Sequence, residues 1–156
     1  MIGKLRCALV LPAALVLSFA AAAQTAQSAL PPGSSQLISP EELFKTLQAP
    51  KGEKPLILNV GPSILYMQAH IPGAEYVGAG SSAQGMASLR TRVKSLSHDT
   101  QIVLYCGCCP WEHCPNVAPA FAELRKLGFK NVKVLYIANN FGADWVDKGY
   151  PTVKGH

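Results

Sequence analysis

Three short runs of apolar residues, Leu56–Val60, Ile102–Tyr105 and Val132–Ile137, constrain the fold of this chain more than any other feature. Each is too short for a helix; the first two are nearly continuous in apolar residues, the pattern of a strand covered on both faces, and Val132–Ile137 reads as a further strand. Helical segments lie between them. Ser39 stands before Pro40 and three residues ahead of Glu42, a capping box with proline at the first helical position; Leu43, Phe44 and Leu47 supply the apolar face. Pro62–Ala69 reads as a short helix, followed by the turn His70–Ala74 and a short strand at Tyr76–Val77. From Ser82 onward, Met86, Leu89, Val93 and Leu96 recur at helical spacing. Asn116 is the expected N-cap of a helix bearing Val117, Phe121, Leu124 and Leu127 and closed by Gly128, and Ala143–Lys148 reads as a terminal helix. Strands alternating with helices predict an α/β fold, a parallel central sheet flanked by helices on both faces.

The strand Ile102–Tyr105 runs directly into Cys106. Four of the five cysteines, Cys106, Cys108, Cys109 and Cys114, fall within nine positions. Ligands of parallel sheets bind beyond the carboxyl ends of the strands, which is where Cys106 stands. A thiolate there, facing backbone N–H groups and a helix N-terminus, is expected to have a lowered pKa. Gly107 permits close backbone approach, and the backbone from Gly107 through Cys108 to Cys109 is the expected cradle for a bound anion. These features suit sulfur transfer, in which Cys106 attacks a sulfane donor, holds the sulfur as a persulfide and passes it on. His113 is the candidate general base or thiolate partner beside the nucleophile Cys106.

The N-terminus carries a different signal. Lys4 and Arg6 precede an apolar stretch from Cys7, and Ala21-Ala22-Ala23 offers a cleavage site, the layout of a secretory signal peptide. The expected division is a signal peptide at 1–23, a flexible leader at 24–37 and a folded domain at 38–156, with the product exported to the periplasm or secreted. The apolar run of 17 residues from Cys7 to Ala23 is shorter than the ~20 residues of a membrane span, so no membrane association is expected after cleavage. Removing Lys4 and Arg6 from the 14 basic residues leaves 12 against 9 acidic ones, a net charge of +3 rather than +5. The basic residues are dispersed without interleaved aromatics, so no nucleic-acid partner is expected.

Further motifs connect these elements. The turn reads His70-Ile71-Pro72-Gly73-Ala74, the strand-end cysteine follows some thirty residues later, Leu127-Gly128-Phe129 closes the next helix, and Trp145 precedes Gly149-Tyr150-Pro151. In these features, spanning about residues 38–155, the chain resembles single-domain rhodaneses, a sulfurtransferase family of α/β fold with a nucleophilic cysteine after a central strand. The resemblance implies sulfurtransferase activity using thiosulfate or another sulfane donor. This chain departs from the family pattern in having Asn59 and Gly61 where Asp and Arg are usual, and in its longer, cysteine-rich loop. No arginine occurs between Cys106 and Asn116, and Glu112 stands where C-x5-R phosphatase or arsenate-reductase chemistry needs arginine.

Export places the cysteines in an oxidising compartment, so Cys108, Cys109 and Cys114 read either as disulfide partners or as residues that resolve a persulfide on Cys106. The alternative function is thiol–disulfide redox or soft-metal handling by the Cys106/Cys108/Cys109/Cys114 loop. The main reading carries no cofactor and no metal, because adjacent Cys108 and Cys109 point poorly at one tetrahedral centre. The expected partners are a small sulfur-containing anion, a thiol acceptor and a redox partner protein. A thioredoxin-like fold is set aside: Cys106–Cys109 has C-x-x-C spacing and Tyr150-Pro151-Thr152 resembles its proline turn, but only five residues follow Pro151. His70 and Trp145 read as structural, and Trp111 as a cover for the loop.

Overall fold

The computed structural model describes residues 34–155; the expected signal peptide and most of the expected leader lie outside them. Five strands form one parallel sheet: β1 (Leu37–Ile38), β2 (Leu56–Asn59), β3 (Glu75–Tyr76), β4 (Ile102–Tyr105) and β5 (Val132–Leu135). Their spatial order is β1-β5-β4-β2-β3, so β4 is central. Leu56 pairs with Ile102 and Asn59 with Tyr105, which brings the carboxyl ends of β2 and β4 level. Leu37, at the end of the expected leader, pairs with Val134 in β1.

The helices are α1 (Pro40–Gln48), α2 (Ser63–Gln68), α3 (Ala83–Val93) and α4 (Val117–Lys126). Both halves of the α1 capping box are formed, Ser39 Oγ accepting from the Glu42 N–H and the Glu42 carboxylate from the Ser39 N–H. The side chains of β4 alternate between two cores. Ile102 and Leu104 pack with Leu89 and Val93 of α3 and Val117, Ala120 and Leu124 of α4. Val103 and Tyr105 pack with Leu43 of α1, Tyr66 of α2, Phe141 and Trp145. The predicted sheet covered on both faces is the observed architecture.

Local differences from the sequence reading have local causes. The third strand is Glu75–Tyr76, one residue earlier than expected, and β5 stops at Leu135. α3 ends at Val93, and Leu96 packs on the core from beyond it. The terminal helix is a single π-type turn at Gly142–Val146, where the Asp147 N–H reaches the Gly142 carbonyl, because the chain must seat Trp145 in the core. The Trp145 indole N–H donates to the Pro151 carbonyl at 2.9 Å, fixing the final Gly149-Tyr150-Pro151 segment.

Asn116 does not cap α4. Its backbone is already helical, and its side chain is drawn away to tertiary partners. The other end of α4 closes as expected: Gly128 has φ +92°, the Phe129 N–H bonds the Leu124 carbonyl and the Gly128 N–H the Arg125 carbonyl, a Schellman closure. His70 is buried, its ring stacks on Tyr66 at 3.8 Å, and its Nδ1 lies 2.9 Å from the Tyr66 carbonyl, a structural role for the turn. Among the described residues, no helix is long and apolar enough to cross a membrane.

Candidate active site

The chain leaves the adjacent strands β2 and β4 toward opposite faces. After β2 it enters α2, whose Tyr66 belongs to one core, and after β4 it reaches α4, whose Leu124 belongs to the other. Such a switch opens a crevice beyond the strand ends. Cys106 is in it. The alternation that sends Ile102 and Leu104 toward α3 and α4 sends Cys106 the same way, leaving it 4% exposed.

The wall opposite Cys106 is Gly61. A Cβ at that position would overlap the Cys106 carbonyl oxygen and meet Cys106 Sγ at 3.1 Å. Asn59 shapes the same wall: its Oδ1 accepts from the Gly61 N–H at 3.0 Å and its Nδ2 lies 3.5 Å from the Cys106 carbonyl. The two departures from the family pattern are therefore both structural neighbours of Cys106. Gly107 follows with φ +83°, and its carbonyl accepts from the Phe141 N–H at 3.0 Å. A Cβ at Gly107 would meet Phe141 Cβ at 2.9 Å, so its close approach is to the protein's own chain.

The reversal at Gly107 brings sulfurs together. Cys106 Sγ is 3.2 Å from Cys108 Sγ, and Cys108 Sγ is 2.9 Å from Cys109 Sγ. The sulfurs of Cys106, Cys108 and Cys114 all lie within 4.8 Å of one another. Cys106 and Cys114 are buried, while Cys108 and Cys109 are half-buried. At Cys106 Sγ, the Asn116 amide donates from Nδ2 at 3.3 Å. Asn116 Oδ1 in turn accepts from the Ser81 N–H at 3.0 Å and hydroxyl at 2.8 Å, tying the loop after β3 to the cysteine. Gly80 in that loop also lacks room for a Cβ against the Asn116 carbonyl.

The charge distribution differs from the sequence expectation. Cys114, rather than Cys106, has the lowered pKa. The adjacent Cys106 thiol and the backbone N–H groups of Asn116 and Val117 at the start of α4 bring Cys114 down to about 6, against the opposing effect of burial. Cys106 is raised instead, because the neighbouring Cys114 takes the negative charge and because it is buried. Burial and the neighbouring thiols push Cys109 up to about 12. Of the two neighbouring thiols, Cys114 is the one that ionises first. Cys114, treated in sequence as a disulfide or resolving residue, is the ionisable group set against Cys106.

His113 is exposed at the end of the 3-10 turn Trp111–His113, and its ring forms no hydrogen bond among the described residues. Trp111 of the same turn is buried, its backbone N–H bonded to the Ile137 carbonyl at 2.8 Å, so it anchors the loop to the end of β5. Its indole Nε1 is buried and has no partner among the described residues. Cys106, Cys108 and Cys114 are the three donors placed to hold a soft ion; Cys109 is outside that set. A second concavity, lined by Arg90, Lys94, His98 and Phe129, lies by the loop that enters β4, away from its carboxyl end.

Comparison with known proteins agrees with this architecture. The sequence profile of the rhodanese-like domain family matches residues 39–136. The fold is similar to the rhodanese-like domain of the Anabaena sp Alr3790 protein, at 22% identity over 78% of this chain and 80% of that one, with TM-score 0.56. It is similar to the BH2092 protein from Bacillus halodurans, at 22% identity over 77% of each chain and TM-score 0.59. Protein hp1203 from Helicobacter pylori shares it at 18% identity over 77% of this chain and 90% of that one, with TM-score 0.52. No curated protein matches the chain. From the five-stranded parallel sheet, the cysteine at the end of its central strand and the profile that spans most of the described residues, the chain belongs to the rhodanese-like domain family.

Proposed function

We propose that this protein is an exported sulfurtransferase in which Cys106 accepts sulfane sulfur as a persulfide. The rhodanese-like fold and the thiol cluster support sulfur-transfer or related chemistry. The observation that carries the finer reading is the surroundings of Cys106 Sγ: the Asn116 amide donates to it at 3.3 Å, and the sulfur of the readily ionised Cys114 lies within 4.8 Å. Cys114 takes the Cys106 proton, the Cys106 thiolate attacks the outer sulfur of the donor, and the donor's remaining part leaves as an anion. The backbone at Gly107, Cys108 and Cys109 and the Asn116 amide stabilise negative charge on the bound sulfur. The substrate is a small sulfane-bearing molecule; in the absence of a loop arginine, recognition rests on neutral N–H donors. His113 serves at the solvent side of the loop. Export rests on the expected signal peptide at 1–23 and predicts a mature chain beginning near residue 24.

Donor consumption tests the Cys106 assignment. With thiosulfate the signal is sulfite release, and with inorganic polysulfide it is loss of the donor's absorbance. Cys106→Ser is expected to abolish both while leaving the circular dichroism spectrum unchanged; a variant that consumes donor at the parent rate overturns the assignment. The convergence of Cys106, Cys108 and Cys114 favours one second reading, a redox or soft-metal loop on the same scaffold. Stoichiometric Cu(I) or Zn(II) retained through gel filtration, with no donor consumption, would select it.

A further inference from the structure

Cys106 is almost completely buried, closed on one side by Gly61 and on another by Asn116. A persulfide formed there is poorly placed for a bulky external acceptor such as a protein thiol. The Cys108 sulfur is already in contact with Cys106 Sγ at 3.2 Å, and, unlike the buried Cys114, it belongs to a half-buried residue. The turn at Gly107, held by the Phe141 N–H, keeps the two sulfurs together. Groups held at such a distance react as if at effective concentrations of about 10⁵ M or more, which no dissolved thiol approaches.

We infer that Cys108 resolves the Cys106 persulfide, so that the protein releases the sulfur as sulfide instead of handing it to an external acceptor. This rests on Cys106 taking up sulfane sulfur. The Cys108 thiolate attacks Cys106 Sγ, a Cys106–Cys108 bond forms, the bond from Cys106 Sγ to the terminal sulfur breaks, and that sulfur departs with the electron pair as hydrosulfide. The two cysteine sulfurs are oxidised by two electrons in total, and the sulfane sulfur is reduced by two. The cycle closes when an external dithiol, protein or small molecule, attacks the disulfide at the accessible Cys108 and leaves both cysteines as thiols. The reaction class is reductive sulfide release from a sulfane donor, with a dithiol as the electron source. Cys109, 2.9 Å from Cys108 on its far side, is not required for the release.

A single-turnover experiment distinguishes the inference from the reading beneath it. The full protein is reduced, freed of reductant, and mixed with thiosulfate or, separately, inorganic polysulfide; intact mass, peptide mapping and, with thiosulfate, released sulfide are followed. The expected product has lost about 2 Da, with the disulfide mapped to Cys106 and Cys108 and about one sulfide released per chain. Cys108→Ser is expected to stop at a gain of about 32 Da on Cys106 and to lower sulfide release about tenfold or more. In Cys109→Ser the disulfide is still expected to map to Cys106 and Cys108. A stable gain of about 32 Da on Cys106 in the parent, without sulfide, overturns the inference and leaves sulfur transfer standing. Sulfide release undiminished in Cys108→Ser, or a disulfide that omits Cys108, also overturns it. If neither donor leaves sulfur on the protein or yields sulfide, the sulfurtransferase reading falls with it.

Discussion

Gly61 and Cys114 carry the least obvious single-residue consequences. At Gly61 the glycine is required by space: the missing Cβ is where the Cys106 carbonyl and thiol lie, and neither a backbone atom nor a strand-end sulfur moves aside cheaply. Gly61→Ala is expected to cost about 1–3 kcal/mol through overpacking, read from a urea midpoint, and to depress donor consumption by displacing Cys106. Cys114 sets a pH dependence. Its folded pKa of about 6 lies below the ordinary thiol value, so the thiolate is present above that pH and is lost as the pH falls through it. Ultraviolet thiolate absorbance of the reduced protein is expected to rise near pH 6. In Cys114→Ser that rise should vanish. The groups facing this pair are Cys108, Cys109 and the Asn116 amide, with no carboxylate among the residues that perturb it.

At the scale of elements, local chemistry was readable and distant demand was not. The α1 start is encoded within four residues, and the Ser39–Glu42 bonds form as their spacing predicts. Ser39→Ala is expected to lower stability by about 1 kcal/mol, measured by thermal denaturation, with no effect on donor consumption. The Gly128 closure of α4 is equally local. The opposite end of α4 is not. Asn116 has the residue type of a cap, yet its amide is engaged by Ser81, 35 positions earlier, and by Cys106. A side chain in bonding reach of a buried thiol and a distant loop is unavailable to its own helix. The same competition shapes the last turn, where seating Trp145 in the core gives a π-type turn in place of the expected helix.

For the whole molecule, the strand order makes the site. With β2 and β4 adjacent and their following helices on opposite faces, the strand-end crevice collects residues from four separate stretches: Asn59 and Gly61, Ser81, Cys106 with Cys108, and Cys114 with Asn116. The sequence by itself determined the α/β class, because uninterrupted apolar strands between amphipathic segments must be covered on both faces. It also placed Cys106 at a strand's carboxyl end, since that position follows from the run Ile102–Tyr105 alone. Only the tertiary structure decided which thiol ionises, because the donors that lower Cys114 and the contact that raises Cys106 come from chain reversal and burial. Likewise it alone assigned Gly61 and Asn116 to the cysteine, across 45 and 10 positions respectively. Periodicity and capping act over one or two turns of chain, whereas electrostatics and close packing depend on which atoms finally share a few ångströms.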